Sequence, residues 1–283
     1  MDRIQIRPVT ASELDLMVDW AAAEGWNPGL DDAEAFLAAD PGGFLMGFVD
    51  GGPAACISGI NYGEDFSFLG FYICRSEYRG QGFGMALWNA CIARLGDRII
   101  GLDGVVDQQA NYAKSGFVLA HRNIRYGGFA GSAANPSEKC VELNESTAPE
   151  LVPAIVAYDK AFFAGPRETF LRNWISNPRR TVAYVENGAI RGYATARACR
   201  NGSKIGPLFA DNDTVAEELF LSLCTPLSGQ PIFLDLPETN PAAMGLAERH
   251  GLSPVFETAR MYRGPAPDLP LKRIFGITTF ELG

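Results

Sequence analysis

Histidine is nearly absent from this 283-residue chain, which has only His121 and His250. The six cysteines (Cys56, Cys74, Cys91, Cys140, Cys199, Cys224) include no CxxC pair and no close Cys/His pairing. That is poor material for a zinc site, so no metal is expected. No apolar run approaches the ~20 residues that span a bilayer. The opening MDRIQIRPVT carries three charged residues where a secretory signal would have an apolar centre. With neither export signal nor paired cysteines, a cytoplasmic protein with reduced thiols and no membrane partner is expected. Positive charge is short as well: 24 Lys and Arg stand against 33 Asp and Glu, a formal net charge of −9. This argues against nucleic-acid binding and tilts toward cationic partners.

What the chain has is an ordinary globular composition, 47% apolar and 20% charged, over a length that suits two domains. Strand and helix signals alternate, the mark of a mixed α/β architecture. DRIQIRPV alternates like a strand, and SELDLMVDWAAAEG places Leu14, Met17, Val18 and Ala21 at helical spacing, with Ser12 as N-cap and Gly25 as stop. DDAEAFLAAD reads as a second helix. GFLMGFVDGGPAACISGI reads as a hairpin turning at Asp50-Gly51-Gly52. FSFLGFYICR is an aromatic-rich strand and MALWNACIARLG a helix. A strand (RIIGLDGVV), a short helix ended by Gly116 and a strand (FVLAHRNIRY) follow. The small, polar stretch from Gly127 to Lys139 is aperiodic. The expected division is a first domain at 1–128, a linker at 129–138 and a second domain at 139–283. Beyond the linker the same element order recurs, including a hairpin at Glu186-Asn187-Gly188, which makes the chain a duplication of one plan.

Between strand and helix in the first half lies SEYRGQGFGMAL, with glycine at positions 80, 82 and 84. A glycine turn feeding a helix N-terminus makes an anion site from backbone N–H groups, where larger side chains would hold a diphosphate away. The nucleotide pattern GxxxxGK[ST] is absent, and GxGxxG fails because Met85 stands at the third glycine. The turn fits Arg-x-x-Gly-x-Gly, and YICRSEYRGQGFGMAL resembles the pyrophosphate loop of the GNAT N-acetyltransferase superfamily. Tyr112-Ala113-Lys114-Ser115-Gly116-Phe117 matches that family's second patch, Tyr-x-x-x-Gly-Phe.

The resemblance covers residue 3 to about residue 127. It implies two tandem GNAT-like domains, each a mixed, mostly antiparallel sheet flanked by helices, and an enzyme that moves an acetyl group from acetyl-CoA to a primary amine. Arg79, Gly80, Gln81, Gly82, Phe83 and Gly84 would then hold the diphosphate, with Ile73 and Cys74 along the pantetheine arm. Asn111 and Lys114 would complete the cofactor site, and Tyr112 would sit at the sulfur as the catalytic residue. A tyrosine of pKa ~10 facing a thiol near ~8.5 would give up its proton uphill by ~2 kcal/mol, so a hydrogen bond to the sulfur is the expected role. Trp26 and Asn27, in the loop EGWNPG, are candidates for the acceptor side. The general base is left open among Glu24, Glu64, Asp65 and Asp107.

In the second half, Ala210-Asp211-Asn212-Asp213-Thr214 replaces the glycine turn, and Ala247 stands four residues before Gly251 where the first half has Tyr112. Aspartates at a helix N-terminus compete for the amides a phosphate would use. The second half reads as a degenerate copy, with Asp159 and Arg167 of YDKAFFAGPRETFLRNW as an ion pair. The expected acceptor is a small amine. The alternatives are a lysine or N-terminus of a protein, and a non-catalytic acyl-CoA sensor or scaffold. Composition and motifs say nothing of oligomeric state.

Overall fold

The structure is a computed structural model that describes residues 4–131 and 137–283. Of the linker expected at 129–138, residues 132–136 lie outside the described residues, as do the first residues of the opening strand. The first half runs β1 (Ile4–Pro8), α1 (Ala11–Ala23), α2 (Asp32–Ala39), β2 (Phe44–Val49), β3 (Gly52–Tyr62), β4 (Phe66–Cys74), α3 (Phe83–Leu95), β5 (Ile99–Val105), α4 (Gln109–Lys114) and β6 (Val118–Phe129). The second runs β7 (Cys140–Glu142), α5 (Ala148–Asp159), α6 (Glu168–Trp174), β8 (Arg180–Glu186), β9 (Ala189–Ala198), β10 (Ser203–Ala210), α7 (Asp213–Cys224), β11 (Pro231–Pro237), α8 (Pro241–Arg249) and β12 (Ser253–Arg263). A tail strand, β13 (Ile274–Gly276), follows.

Local chemistry explains most boundaries. Helix α1 buries Leu14, Met17, Val18 and Ala21, the stripe read from sequence. Its cap is Thr10 and not Ser12. Glu13 N–H donates to Thr10 Oγ1 at 3.3 Å while Thr10 N–H donates to Glu13 Oε2 at 2.8 Å, a reciprocal capping box. Arg7 grips the same carboxylate at 2.6 Å. Thr10→Ala is therefore expected to cost about 1 kcal/mol in urea unfolding, and Ser12→Ala much less.

The strands form one continuous mixed sheet, ordered β1-β2-β3-β4-β5-β12-β6-β11-β10-β9-β8-β7. Its two parallel pairs in this path, β4 with β5 and β10 with β11, are counterparts in the two halves. At the centre the halves exchange strands. Strand β12, the last full strand of the second half, pairs with β5 over Thr258–Arg263, and β6, the last of the first half, pairs with β11 over Asn123–Phe129. The expected division along the chain is thus crossed twice in space.

Aromatic and ionic contacts lock the halves together. The rings of Phe36 in α2 and Trp174 in α6 stack at 6.0 Å. Buried Asp32 accepts from Arg197 at 3.3 Å and lies 3.5 Å from Arg179, and both guanidinium groups sit 4.6 Å from the Trp174 ring. Within the second half, Asp159 and Arg167 form a buried bidentate pair at 2.6 and 2.8 Å, which Tyr193 and Thr278 complete. This is the ion pair expected from sequence.

Candidate active site

Strands β4 and β5 stay paired only from Phe66–Ile99 to Leu69–Leu102 and then part. The parting has a local cause: Phe71 has φ 48°, and two β4 residues face one β3 residue between the pairs Cys56–Ile73 and Ser58–Gly70. This β-bulge bends β4 away from β5. A cavity of about 360 Å³ opens in the wedge. Gly70 to Cys74 on β4, Leu102 to Val105 on β5, Arg79, Gln108 and Tyr112 line it, with Glu24 and Trp26 at one side. Ile73 and Cys74 thus have β3 as partner on one edge and the cavity on the other.

The glycine turn stands at the mouth of the wedge. Gly80 (φ 75°) and Gly82 (φ 84°) adopt left-handed backbone, with open space where a side chain would start. Gly82 is the N-cap of α3 and makes no side-chain cap bond. A Cβ on Gly84 would lie 2.9 Å from the Tyr72 hydroxyl. Arg79 closes the turn, donating from Nε to Cys74 O at 2.8 Å and from Nη2 to Glu24 Oε1 at 2.9 Å. Gln81 donates back to Glu77 O at 2.9 Å, and Phe83 packs edge-on to Tyr78.

Tyr112 projects from α4 into the wall between the strands. Its ring stacks on Trp88 at 5.8 Å and occupies the space left by Gly104, where a Cβ would meet it at 2.2 Å. Burial pushes the phenol up to about 12. Among the described residues its hydroxyl has no hydrogen-bond partner. Asn111 and Lys114 lie outside the cavity lining on the exposed face of α4, bonded to each other at 3.1 Å, with Asn111 also bonded to Gln108 at 2.8 Å. Asn27 is turned away too. Its amide donates to Asn201 O and accepts from Asn201 N–H, tying the loop to the second half.

Sequence reasoning missed the β5 side of the wedge and every lining residue that the second half supplies. Phe256 and Thr258 come from exchanged strand β12, and Phe280 and Glu281 come from the C-terminal tail. No local pattern announces a strand exchange. Gly70 lets the tail approach, since a Cβ there would sit 2.1 Å from Glu281 O. Behind this wall Arg125 makes a bidentate pair with Asp235 at 2.6 and 2.8 Å. The Trp26 carbonyl accepts from both Arg125 Nη1 at 2.8 Å and Lys204 Nζ at 2.9 Å. Burial, helped by Arg125, pulls the Lys204 ammonium down to about 8. Asp103 is saturated by Arg260, Asn123 and Thr258. Of the candidate bases, Glu24 reaches the cavity, whereas Glu64 and Asp65 lie in the turn at the opposite end of β4 and Asp107 does not line it.

The second half's counterpart wedge is filled. Strand β10 pairs with β11 only over Ser203–Ile205, and β13 then pairs with β10 at Leu208 and Phe209. Ile277 N–H donates to Asp235 O of β11 at 2.8 Å, so the tail bridges both edges. Asn212 caps α7 with its own side chain, accepting from Val215 N–H at 3.1 Å. Asp211 is held by Arg273 and Tyr158.

Residues 13–117 match the family model "Acetyltransferase (GNAT) family", and residues 155–276 match "Acetyltransferase (GNAT) domain". The chain is 29% identical over 279 residues to a protein of Pseudoalteromonas sp. (strain SANK 73390) named holothin acyltransferase, covering 98% of this chain and 94% of that one. Its fold resembles a putative acetyltransferase from Pyrococcus horikoshii (TM-score 0.82, 23% identity, 100% of this chain and 97% of the other). It also resembles a tandem GNAT protein from the clavulanic acid biosynthesis pathway (TM-score 0.61, 14% identity, 93% and 100%). The wedge between two parallel strands, present in each half, and these matches lead to one assignment: the chain belongs to the GNAT family and is a tandem acyltransferase with one GNAT domain in each half.

Proposed function

We propose that the first half transfers an acetyl group from acetyl-CoA to the primary amine of a small molecule. The observation that carries this reading is the wedge cavity, which runs from Arg79, the residue that opens the uncapped glycine turn, past Tyr112 to Trp26. The diphosphate lies on the backbone N–H groups of the Gly80–Gly84 turn, where the α3 dipole adds its field. The pantetheine arm follows the free edge of β4 at Ile73 and Cys74. The thioester then reaches the wall between Tyr112 and the bulge.

Attack by the amine nitrogen on the acyl carbon forms the C–N bond and breaks the C–S bond. The Tyr112 hydroxyl hydrogen-bonds the sulfur as charge builds there. Arg79 takes a positioning role: it already bonds Cys74 O and Glu24, so it fixes the turn against β4. Asn111, Lys114 and Asn27, all turned from the cavity, have no direct part. The acceptor enters beside Trp26 into a space walled on three sides by β4, β12 and the tail, which suits a small molecule better than a protein chain. A relative spanning both halves bears the name holothin acyltransferase, in keeping with acyl transfer on this architecture.

The second half does no acyl transfer in this reading, because its own tail holds the equivalent groove and its helix is capped by Asn212. Calorimetric titration with acetyl-CoA is expected to give one site per chain. Two sites would restore the second half as a cofactor domain, and no heat of binding with intact fold would remove the transferase reading.

A further inference from the structure

The loop that carries Trp26 to the cavity is held from two sides. Up to the Trp26 N–H, which donates to Ala21 O at 3.0 Å, it is the end of α1. From the Trp26 carbonyl onward the second half takes over. That carbonyl accepts from Lys204 Nζ at 2.9 Å and from Arg125 Nη1 at 2.8 Å, and Arg125 is itself paired with Asp235 of β11. Asn27, at φ 50°, donates from its amide to Asn201 O at 2.9 Å and accepts from Asn201 N–H at 3.1 Å. Gly29 bridges to Cys199, and Leu30 N–H donates to Ala198 O at 2.9 Å. Gly29 N–H also donates to Asp32 Oδ2 at 2.8 Å, a carboxylate that Arg197 meets at 3.3 Å.

Lys204 stands apart in this set. It is 2% exposed, and stripping water from an ammonium is costly unless bonds replace it. Among the described residues its one hydrogen bond goes to the Trp26 carbonyl. Glu281 and Asp235 favour its charge, while Arg125 and Arg197 oppose it. A buried cation is a poor way to stabilise a fold, since an apolar side chain of similar volume is often as stable or more so. It is an effective way to fix one carbonyl. Glu24 belongs to the other side of the loop: its N–H donates to Trp20 O of α1 at 3.0 Å, so its tie to Arg79 and the glycine turn does not depend on these bonds.

Resting on the acetyl-transfer reading above, we infer that the β9–β10 turn of the second half, from Ala198 to Lys204, positions the acceptor loop of the first half, with Lys204 as a positioning residue that holds Trp26 at the cavity and so sets the KM for the acceptor. The half without a cofactor turn thereby acts on the acceptor side of its neighbour's site and leaves the acetyl-CoA side alone.

The test measures CoA thiol release on the full chain with 2-phenylethylamine, cyclohexylamine and aniline, and carries the variants forward on the amine acetylated fastest. Lys204→Met should raise the KM for that amine by roughly tenfold, with kcat and acetyl-CoA affinity near wild type. Its Tm should be unchanged or higher, because a buried charge is gone and Arg125 still serves the Trp26 carbonyl. Asn27→Gly should act in the same direction, since glycine takes φ 50° without strain and both bonds to Asn201 are lost. Should Lys204→Met fail to fold, Asn27→Gly alone decides. Wild-type KM in both variants, with KM raised by Trp26→Ala, would overturn the inference and leave the acceptor beside Trp26. Wild-type KM in all three would overturn both readings of the acceptor side. A fall in kcat or acetyl-CoA affinity as large as the rise in KM would mark general damage and overturn the inference too. Turnover of none of the amines by the unaltered chain would overturn it together with the small-amine reading, and calorimetric titration with acetyl-CoA would then decide whether cofactor binding stands.

Discussion

Acetyl-CoA binding should be lost when Gly82 and Gly84 are both changed to aspartate. Position 82 has φ 84°, left-handed backbone that costs a non-glycine residue roughly 1–2 kcal/mol. Position 84 has only 2.9 Å between a new Cβ and the Tyr72 hydroxyl, on the side of the turn that faces β4. Two carboxylates within ~4 Å of a diphosphate would each oppose it by roughly 4 kcal/mol at an effective dielectric of ~20. Even a fraction of that sum weakens binding more than roughly 10³-fold. The measurement is calorimetric titration, with circular dichroism to show that the sheet persists. The second half makes the same chemical point in native sequence, where Asp211 and Asp213 flank the cap of α7. Undiminished affinity in the double variant would move the diphosphate off this turn.

Removal of one hydroxyl carries the second large effect. Tyr112→Phe is expected to lower kcat on the order of 10²-fold while leaving acetyl-CoA affinity near the wild-type value. The ring keeps its stack on Trp88 at 5.8 Å and its seat over Gly104, so the loss would report the hydroxyl and not packing. Burial holds the phenol near 12, which places proton transfer to a thiolate of pKa ~8.5 uphill by roughly 5 kcal/mol. Tyr112 therefore keeps its proton and acts as a hydrogen-bond donor. Because burial disfavours the phenolate, the group stays protonated through neutral and mildly alkaline solution, and no fall in kcat from Tyr112 ionisation is expected until strongly alkaline pH. A near wild-type rate for the phenylalanine variant would take Tyr112 out of the chemistry.

Much of the first half was legible because its signals are local. Alternation gave β1, the Asp50-Gly51-Gly52 turn gave the hairpin of β2 and β3, the stripe of Leu14, Met17, Val18 and Ala21 gave α1, and glycine spacing gave the turn before α3. The misplacement of the α1 cap was a matter of two adjacent hydroxyl residues. Only the reciprocal bond from Glu13 decides for Thr10. The cavity wall supplied by the second half was not legible, for a different reason. Phe256 and Phe280 lie more than 130 positions from Tyr112 in the sequence, and nothing in their own segments encodes which β-edge they will meet. The same holds for the Trp26 carbonyl, clamped by Arg125 and Lys204 from strands far along the chain. Long-range pairing of this kind is set by the whole sheet and not by any window of residues.

The exchange of β6 and β12 has a consequence for how this protein can be cut, shuffled or shortened. A fragment ending near residue 128 would carry β6 with no β11 to receive it, and would leave β5 with a bare edge where β12 belongs. A fragment starting near residue 139 would face the mirror of the same fault. The two halves are therefore not modules in the engineer's sense, and grafting the first onto another partner would discard one wall of the cavity along with the missing strand. A half that performs no chemistry of its own would persist for mechanical reasons, as the other half's missing edge.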